Sequence, residues 1–195
     1  MDLGFLPKLR YALAEHLTAQ LEPSAEAQAL LSPGLTAAGF IQALADAELH
    51  SEALRFLALG LPRREAVWWA CAVRARLLPP ELPAKETAAW NAAEAWVYEP
   101  TEANRRAAYA PAEALKFETA GAYAALGTFW SGGSLAPPDS VMVVPPGDAL
   151  TGSAIGAALL LCCVPGPAKT IGERHAQVLT IGADIANGGS GRTAA

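Results

Sequence analysis

Between Leu61 and Leu78 the chain reads LPRREAVWWACAVRARLL, and Ala66 to Val73 carry neither a charge nor a hydroxyl. A helix lying on a surface needs only an apolar stripe, whereas an apolar belt demands neighbours on every side. Pro62 suits a first helical turn, where its missing N–H costs nothing. Glu65 falls near the positive end of the dipole, and Arg74 and Arg76 near the negative end. Trp68 and Trp69 project about 100° apart, so they must pack into different neighbours. Each large aromatic buries roughly 150–250 Å². The stretch therefore predicts a central core helix. One indole could instead line a partner groove, since Trp and Arg dominate binding hot spots.

The rest of the chain agrees with a helical class. Hydrophobic residues make up 52% of 195 positions, and many are Ala, the strongest helix former. Val, Ile and Thr are sparse, which argues against a sheet. The length suits one domain. Net charge is −5 and no segment carries a basic stripe, so nucleic acid is not expected as a partner. Cys71, Cys162 and Cys163 lie in apolar runs, which fits buried free thiols rather than a disulfide framework. The opening MDLGFLPKLRYAL has Asp2, Lys8 and Arg10 within it and is not patterned as a signal peptide. A cytoplasmic location is the expectation.

Apolar spacing predicts helices over Leu6–Leu21, Pro23–Leu31 and Thr36–Ala47, with Thr36 as a cap. Ser51 is the expected cap of Glu52–Leu59, and Gly60 its left-handed stop. Helices over Pro83–Val97, Thr101–Tyr109, Pro111–Thr119 and Gly121–Trp130 follow, with Thr101 as an N-cap. Residues 131–148 read SGGSLAPPDSVMVVPPGD, in which Gly132-Gly133, Pro137-Pro138 and Pro145-Pro146 forbid a helix. A loop this long is uncommon in a compact domain and is often functional. Within it, Val141–Val144 suits an extended segment that either straps the helical body or pairs with a partner's strand. Ala149–Val164 contains Gly152-x-x-x-Gly156, a spacing that permits close helix approach. It is shorter than the roughly 20 residues of a membrane span. Ala168–Asn187 predicts a last amphipathic helix, with Ile171, His175, Val178, Leu179 and Ile185 inward.

Recognisable catalytic chemistry is sparse. His16, His50 and His175 fall on separate elements without metal-ligand spacing, and Cys162-Cys163 offers no zinc pattern. Ser131-Gly132-Gly133-Ser134 lacks the Lys and the strand context of a phosphate loop. Carboxylates such as Glu94, Glu102 and Glu113 are scattered. Triads assemble in space, so a helical small-molecule enzyme in which His175 or Glu102 titrates stays open as an alternative. So does a peripheral membrane protein that uses Ala149–Val164.

Three motifs, Glu65-Ala-Val-Trp-Trp-Ala-Cys71, Glu102-Ala-Asn-Arg-Arg-Ala-Ala108 and Phe129-Trp-Ser-Gly-Gly-Ser-Leu-Ala-Pro-Pro138, together resemble an uncharacterised bacterial family of small all-helical proteins. The likeness spans about Leu35 to Asn187. Members of that family occur among type VI secretion genes, near effectors, PAAR-like tips and effector chaperones. The resemblance implies an accessory role as co-chaperone or adaptor in effector loading, and it carries no catalytic residues.

The expectation is therefore an all-α, irregular multi-helix bundle of antiparallel helical hairpins. A helical body over 1–130, a Gly/Pro-rich strap over 131–148 and a C-terminal helix pair over 149–187 form one domain, and a flexible tail covers 188–195. The protein is expected to be non-enzymatic, to need no cofactor or metal, and to bind another protein: an effector, an effector chaperone or a secretion-tip protein. Trp68, Trp69, Arg105, Arg106 and Trp130 are the expected anchors.

Overall fold

The structure, a computed structural model, describes residues 1–192. It is all-α. Among the described residues the only β-type pairing is one isolated bridge between Leu13 and Thr36. The helices are α1 (Ala14–Thr18), α2 (Ala25–Gln28), α3 (Ala37–Asp46), α4 (His50–Gly60), α5 (Arg63–Leu77), α6 (Ala84–Tyr98), α7 (Glu102–Ala107), α8 (Tyr109–Ala114), α9 (Ala120–Phe129), α10 (Leu150–Cys162) and α11 (Ile171–Ala186).

Several starts are set by hydroxyl caps. Ser24, Thr36, Thr101 and Thr119 each accept a hydrogen bond from a backbone N–H three residues on, which satisfies one of the orphan donors of a first turn. Other expected ends differ. Only Ala14–Thr18 of the Leu6–Leu21 stretch is helical. Pro7 and the positive φ of Leu6 bend its first half, and Lys8 N and Arg10 N donate instead to Ala186 O and Gly60 O. α4 begins at His50, one residue before Ser51, with no side-chain cap. Gly60 is a buried helical residue rather than a left-handed stop; a Cβ there would stand 2.7 Å from Leu9 Cδ2. Its smallness admits the N-terminal segment. Lys116 and Phe117 take positive φ and end α8 early.

The core is built on α10. It packs against α4, α5 and α9, and α11 closes over α4 and α5. α4 and α5 are joined by only two residues, Leu61 and Pro62, yet they do not pair along their lengths. Leu61 is extended, so the chain turns away and α10 and α11 pack on both helices. Phe40 and Phe56 meet edge-on at 5.1 Å where α3 crosses α4. A smaller cluster joins Ala89, Ala108, Ala112, Ala125 and Leu126 among α6, α8 and α9.

The Gly152-x-x-x-Gly156 spacing brings α10 onto α4. A Cβ on Gly152 would lie 2.5 Å from Leu59 Cα, which is backbone and cannot rotate away, and one on Gly156 would lie 3.5 Å from Arg55 Cα. Gly152→Ala is expected to cost about 2 kcal/mol by overpacking. That should lower the melting temperature by about 6 °C in a chain of this size. A calorimetric scan showing no shift would mean the two helices can part freely.

The apolar run Ala149–Val164 is spent inside the protein, with Thr151, Gly152, Ala154, Ile155, Ala158, Leu159 and Cys162 buried. This does not match the alternative in which it meets a lipid surface. No helix among the described residues is long and apolar enough to cross a membrane. Ile171 is 39% exposed because the first turn of α11 overhangs the core, while Val178, Leu179 and Ile185 are inside as the spacing predicts. Of the tail expected from Gly188, residues 188–192 fold back on the body, and 193–195 lie outside the described residues.

Candidate protein-binding surfaces

The strap over residues 131–148 is rooted at both ends by one side chain. Arg63, in the first turn of α5, donates from Nη1 to Ser131 O and from Nη2 to Asp148 Oδ1, each at 3.0 Å. Ser131 follows α9 and Asp148 precedes α10, so a single guanidinium clamps the two stems together.

A second clamp holds the descending limb. On α7, Glu102, Arg105 and Arg106 stand at i, i+3 and i+4, the spacing at which helical side chains meet. Arg105 donates to both Glu102 oxygens at 2.6 and 2.7 Å, to Ser134 O at 3.0 Å, and to Phe129 O. Its guanidinium lies 4.9 Å from the centre of the Phe129 ring. Arg106 donates to Glu102 Oε1, to Ser134 O and to Ala136 O. Gly133 passes directly over this network at φ +60°, and a Cβ on it would stand 2.7 Å from Glu102 Oε2. Hydrogen bonds from Arg105, and after them the charges of the two arginines, lower the Glu102 carboxyl to about 2. The stabilisation from this pairing is therefore present above the ordinary carboxylate range and is lost as pH falls towards 2.

Beyond the clamp the strap closes on itself. Leu135 N donates to Val144 O at 2.8 Å, and Val144 N donates to Ser134 Oγ at 3.1 Å. The residues between these pairs form a looped tip. Val141 is 99% exposed, Met142 67% and Val143 76%. The segment does not lie across the helical body. Its backbone N–H groups at Val141 and Val143 make no hydrogen bond among the described residues. Contiguous exposed apolar side chains on a rooted loop are a mark of an interaction site.

The five expected anchors divide. Trp69 and Arg105 do not belong to an accessible surface. Trp69 is fully buried, with Nε1 donating to Val178 O at 3.0 Å, and Arg105 is 3% exposed and occupied with the strap. Both were placed by residue type, and residue type alone does not separate a core indole or a structural guanidinium from a partner contact. Arg106 is part-buried on the same clamp. Trp130 is half-buried against the smaller cluster, at the foot of the strap. Trp68 is half-buried on the far side of α5, edge-on to Tyr98 at 6.0 Å. The pairings of Arg63 with Asp148 and of Glu102 with two arginines were not anticipated; the Glu102-x-x-Arg105-Arg106 spacing carried a signal for the second.

The three cysteines and His175 lie on α5, at the end of α10 and on α11, outside the strap. Burial pushes the Cys71 thiol up to about 12 and Cys163 up to about 11, and pushes Cys162 up as well. A thiol so raised is a poor nucleophile. His175 is held below its ordinary range, first by burial and then by neighbouring His50 and Arg174. Among the described residues no group of three or more His, Cys, Asp or Glu side chains could hold a metal ion.

Residues 40–186 match the model of a protein family described as a family of unknown function (DUF6931). No curated protein and no solved structure matches the chain.

Proposed function

We propose that this chain, which belongs to the family of unknown function DUF6931, is a non-enzymatic accessory factor that binds another protein through the tip of its strap. The observation that carries this reading is the exposure of Val141, Met142 and Val143 on a loop whose stems and descending limb are clamped by three arginines. An apolar tip in water is unfavourable by roughly 25 cal/mol per Å². A partner that covers it recovers that free energy, and the rooted loop loses little entropy on binding. The looped tip leaves the N–H groups of Val141 and Val143 without a partner among the described residues, so a partner can both cover its apolar side chains and accept from its backbone. The resemblance to the family found among type VI secretion genes extends the reading. The protein would act in the cytoplasm as a co-chaperone or adaptor in effector loading, with an effector, its chaperone or a secretion-tip protein as the partner.

Val141, Met142 and Val143 contact little of the body, so replacing all three by Ser should leave the melting temperature unchanged. Partner capture from native cells should fall by more than tenfold. Benzoylphenylalanine at position 141 should crosslink to the same stoichiometric protein that the wild-type chain retains, identified by mass spectrometry. Equal capture by the triple variant, or crosslinks only at distant positions, would remove the strap tip from the interface.

A further inference from the structure

The strap tip carries one oxidisable sulfur. The chain has two methionines, Met1 and Met142, and three cysteines. Cys71, Cys162 and Cys163 are buried, and burial keeps them as thiols, a form that peroxide attacks slowly. Met1 sits against α3, where its carbonyl accepts from Gln42 and its ammonium stands 3.5 Å from Asp46 Oδ1. Met142 lies at the tip between Val141 and Val143 and is the more exposed of the two methionines, at 67% against 45%. A thioether has no proton to lose, so access of the oxidant governs its oxidation.

Among the described residues Met142 is tied in through its backbone. Its N–H donates to Ser140 Oγ at 3.1 Å, and Ser140 N donates to Pro137 O at 3.0 Å. The bonds that shape the strap come from Arg63, Arg105 and Arg106 and join Leu135 to Val144, and none uses the Met142 side chain. Oxidation at the sulfur therefore leaves the fold and the strap in place. It changes what the tip offers: an adaptable apolar side chain becomes a polar, chiral one that bears an acceptor oxygen. A partner pocket that takes Val141, Met142 and Val143 has to strip water from that oxygen, which is unfavourable unless a donor replaces it.

We propose that Met142 is a sulfoxidation site at which a peroxide turns off partner binding by the strap tip, a switch that rests on the tip being the interface. The sulfur lone pair attacks one peroxide oxygen, and an S–O bond forms as the O–O bond breaks. The resulting S–OH gives its proton to the departing hydroxide, which leaves as water. Sulfur is oxidised by two electrons and the peroxide is reduced by two. Two thiols of a methionine sulfoxide reductase reverse the step: the oxygen leaves as water and the thiols close to a disulfide. The tip is thereby coupled to the oxidant level around the protein while the buried thiols stay reduced.

In the test the full chain is treated with hydrogen peroxide, quenched with catalase and mapped by peptide mass spectrometry. Met142 should gain one oxygen while Cys71, Cys162 and Cys163 gain none, and the melting temperature should not move. Oxidised and untreated chains are then compared for binding to the protein that benzoylphenylalanine at position 141 crosslinks. The oxidised chain should bind it about tenfold more weakly, the loss expected for a buried polar group without a partner. Met142→Leu keeps the apolar bulk without the thioether, so peroxide should leave its binding unchanged. Methionine sulfoxide reductase should restore binding by the oxidised wild type. The proposal is overturned if the sulfoxide form binds like the thioether, if Met142→Leu loses binding on treatment as wild type does, or if the cysteines oxidise as fast as Met142. Loss of binding when Val141, Met142 and Val143 are replaced by Ser, without loss on oxidation, overturns the switch alone. No loss in either case, or no protein crosslinked at position 141, removes the interface and the switch with it.

Discussion

Trp69→Ala is expected to destabilise the protein by about 4 kcal/mol, within the range for removing a fully buried large aromatic from a core. The ring sits in a notch of α11 that only glycine leaves open: a Cβ on Gly182 would stand 2.4 Å from Trp69 Cζ2. The indole N–H donates to Val178 O in the same helix. Truncation therefore removes the main wedge between α5 and α11 and leaves a void walled by two helices that are also held by other neighbours, so collapse is limited. Trp69→Phe keeps most of the volume and loses the hydrogen bond, and should cost about 1–2 kcal/mol. Urea unfolding followed by circular dichroism measures both. A loss below about 1.5 kcal/mol for the Ala variant would show that α11 can settle onto α5 without the ring, which the fit at Gly182 argues against.

Arg105→Ala is expected to cost about 3 kcal/mol, because it leaves the Phe129 carbonyl without its charged donor, strips Glu102 of its bidentate partner and leaves Ser134 O to Arg106 alone. The ion pair itself contributes less than its short distances suggest. Glu102 is 54% exposed, and water and salt screen it. The larger effect is local: with the second clamp reduced to Arg106, the descending limb is held by one part-buried guanidinium and the stems by Arg63. Limited proteolysis between Ser131 and Asp148 should accelerate by an order of magnitude or more, following the free energy of local opening. Arg105→Lys should resemble Ala more than wild type, since an ammonium cannot reproduce a planar fork shared among a carboxylate and two carbonyls. Unchanged cleavage in either variant would place the rigidity of the strap elsewhere.

The helical class and the central stretch were legible because their signals are local. Ala66 to Val73 is apolar on all sides, and α5 is accordingly enclosed by α6, α10 and α11. Thr36 and Thr101 can be read as caps because a hydroxyl and a following N–H are neighbours in the chain. What escaped is what the fold brings together. No spacing rule pairs Arg63 with Asp148, 85 positions apart. Trp68 and Trp69 are adjacent letters with opposite fates, because α11 buries one while the other is half-buried, edge-on to Tyr98 and donating to Ser190 O. The Leu6–Leu21 stretch keeps its apolar period while its backbone bonds to Gly60 and Ala186, so a helical pattern of burial arose without the helix. Residues 131–148 were recognisable as irregular from Pro and Gly, but which side of that loop meets water depends on the arginine clamps.

The packing of α4 has a consequence for the order of synthesis. Its buried residues Leu54, Phe56 and Leu57 are complete by position 60, but the helices that cover it, α10 and α11, begin at Leu150 and Ile171. At the usual pace of roughly 5–20 residues per second, α4 waits roughly 5–20 s on the ribosome for its cover. The last helix must then dock twice, on α4 and α5 through its side chains and on the first residues of the chain through Asn187, which donates to Leu3 O and accepts from Leu6 N. Residues 3–6, made before α1, are among the last to be fixed, and until α11 emerges the nascent chain presents an apolar surface of the kind that chaperones bind.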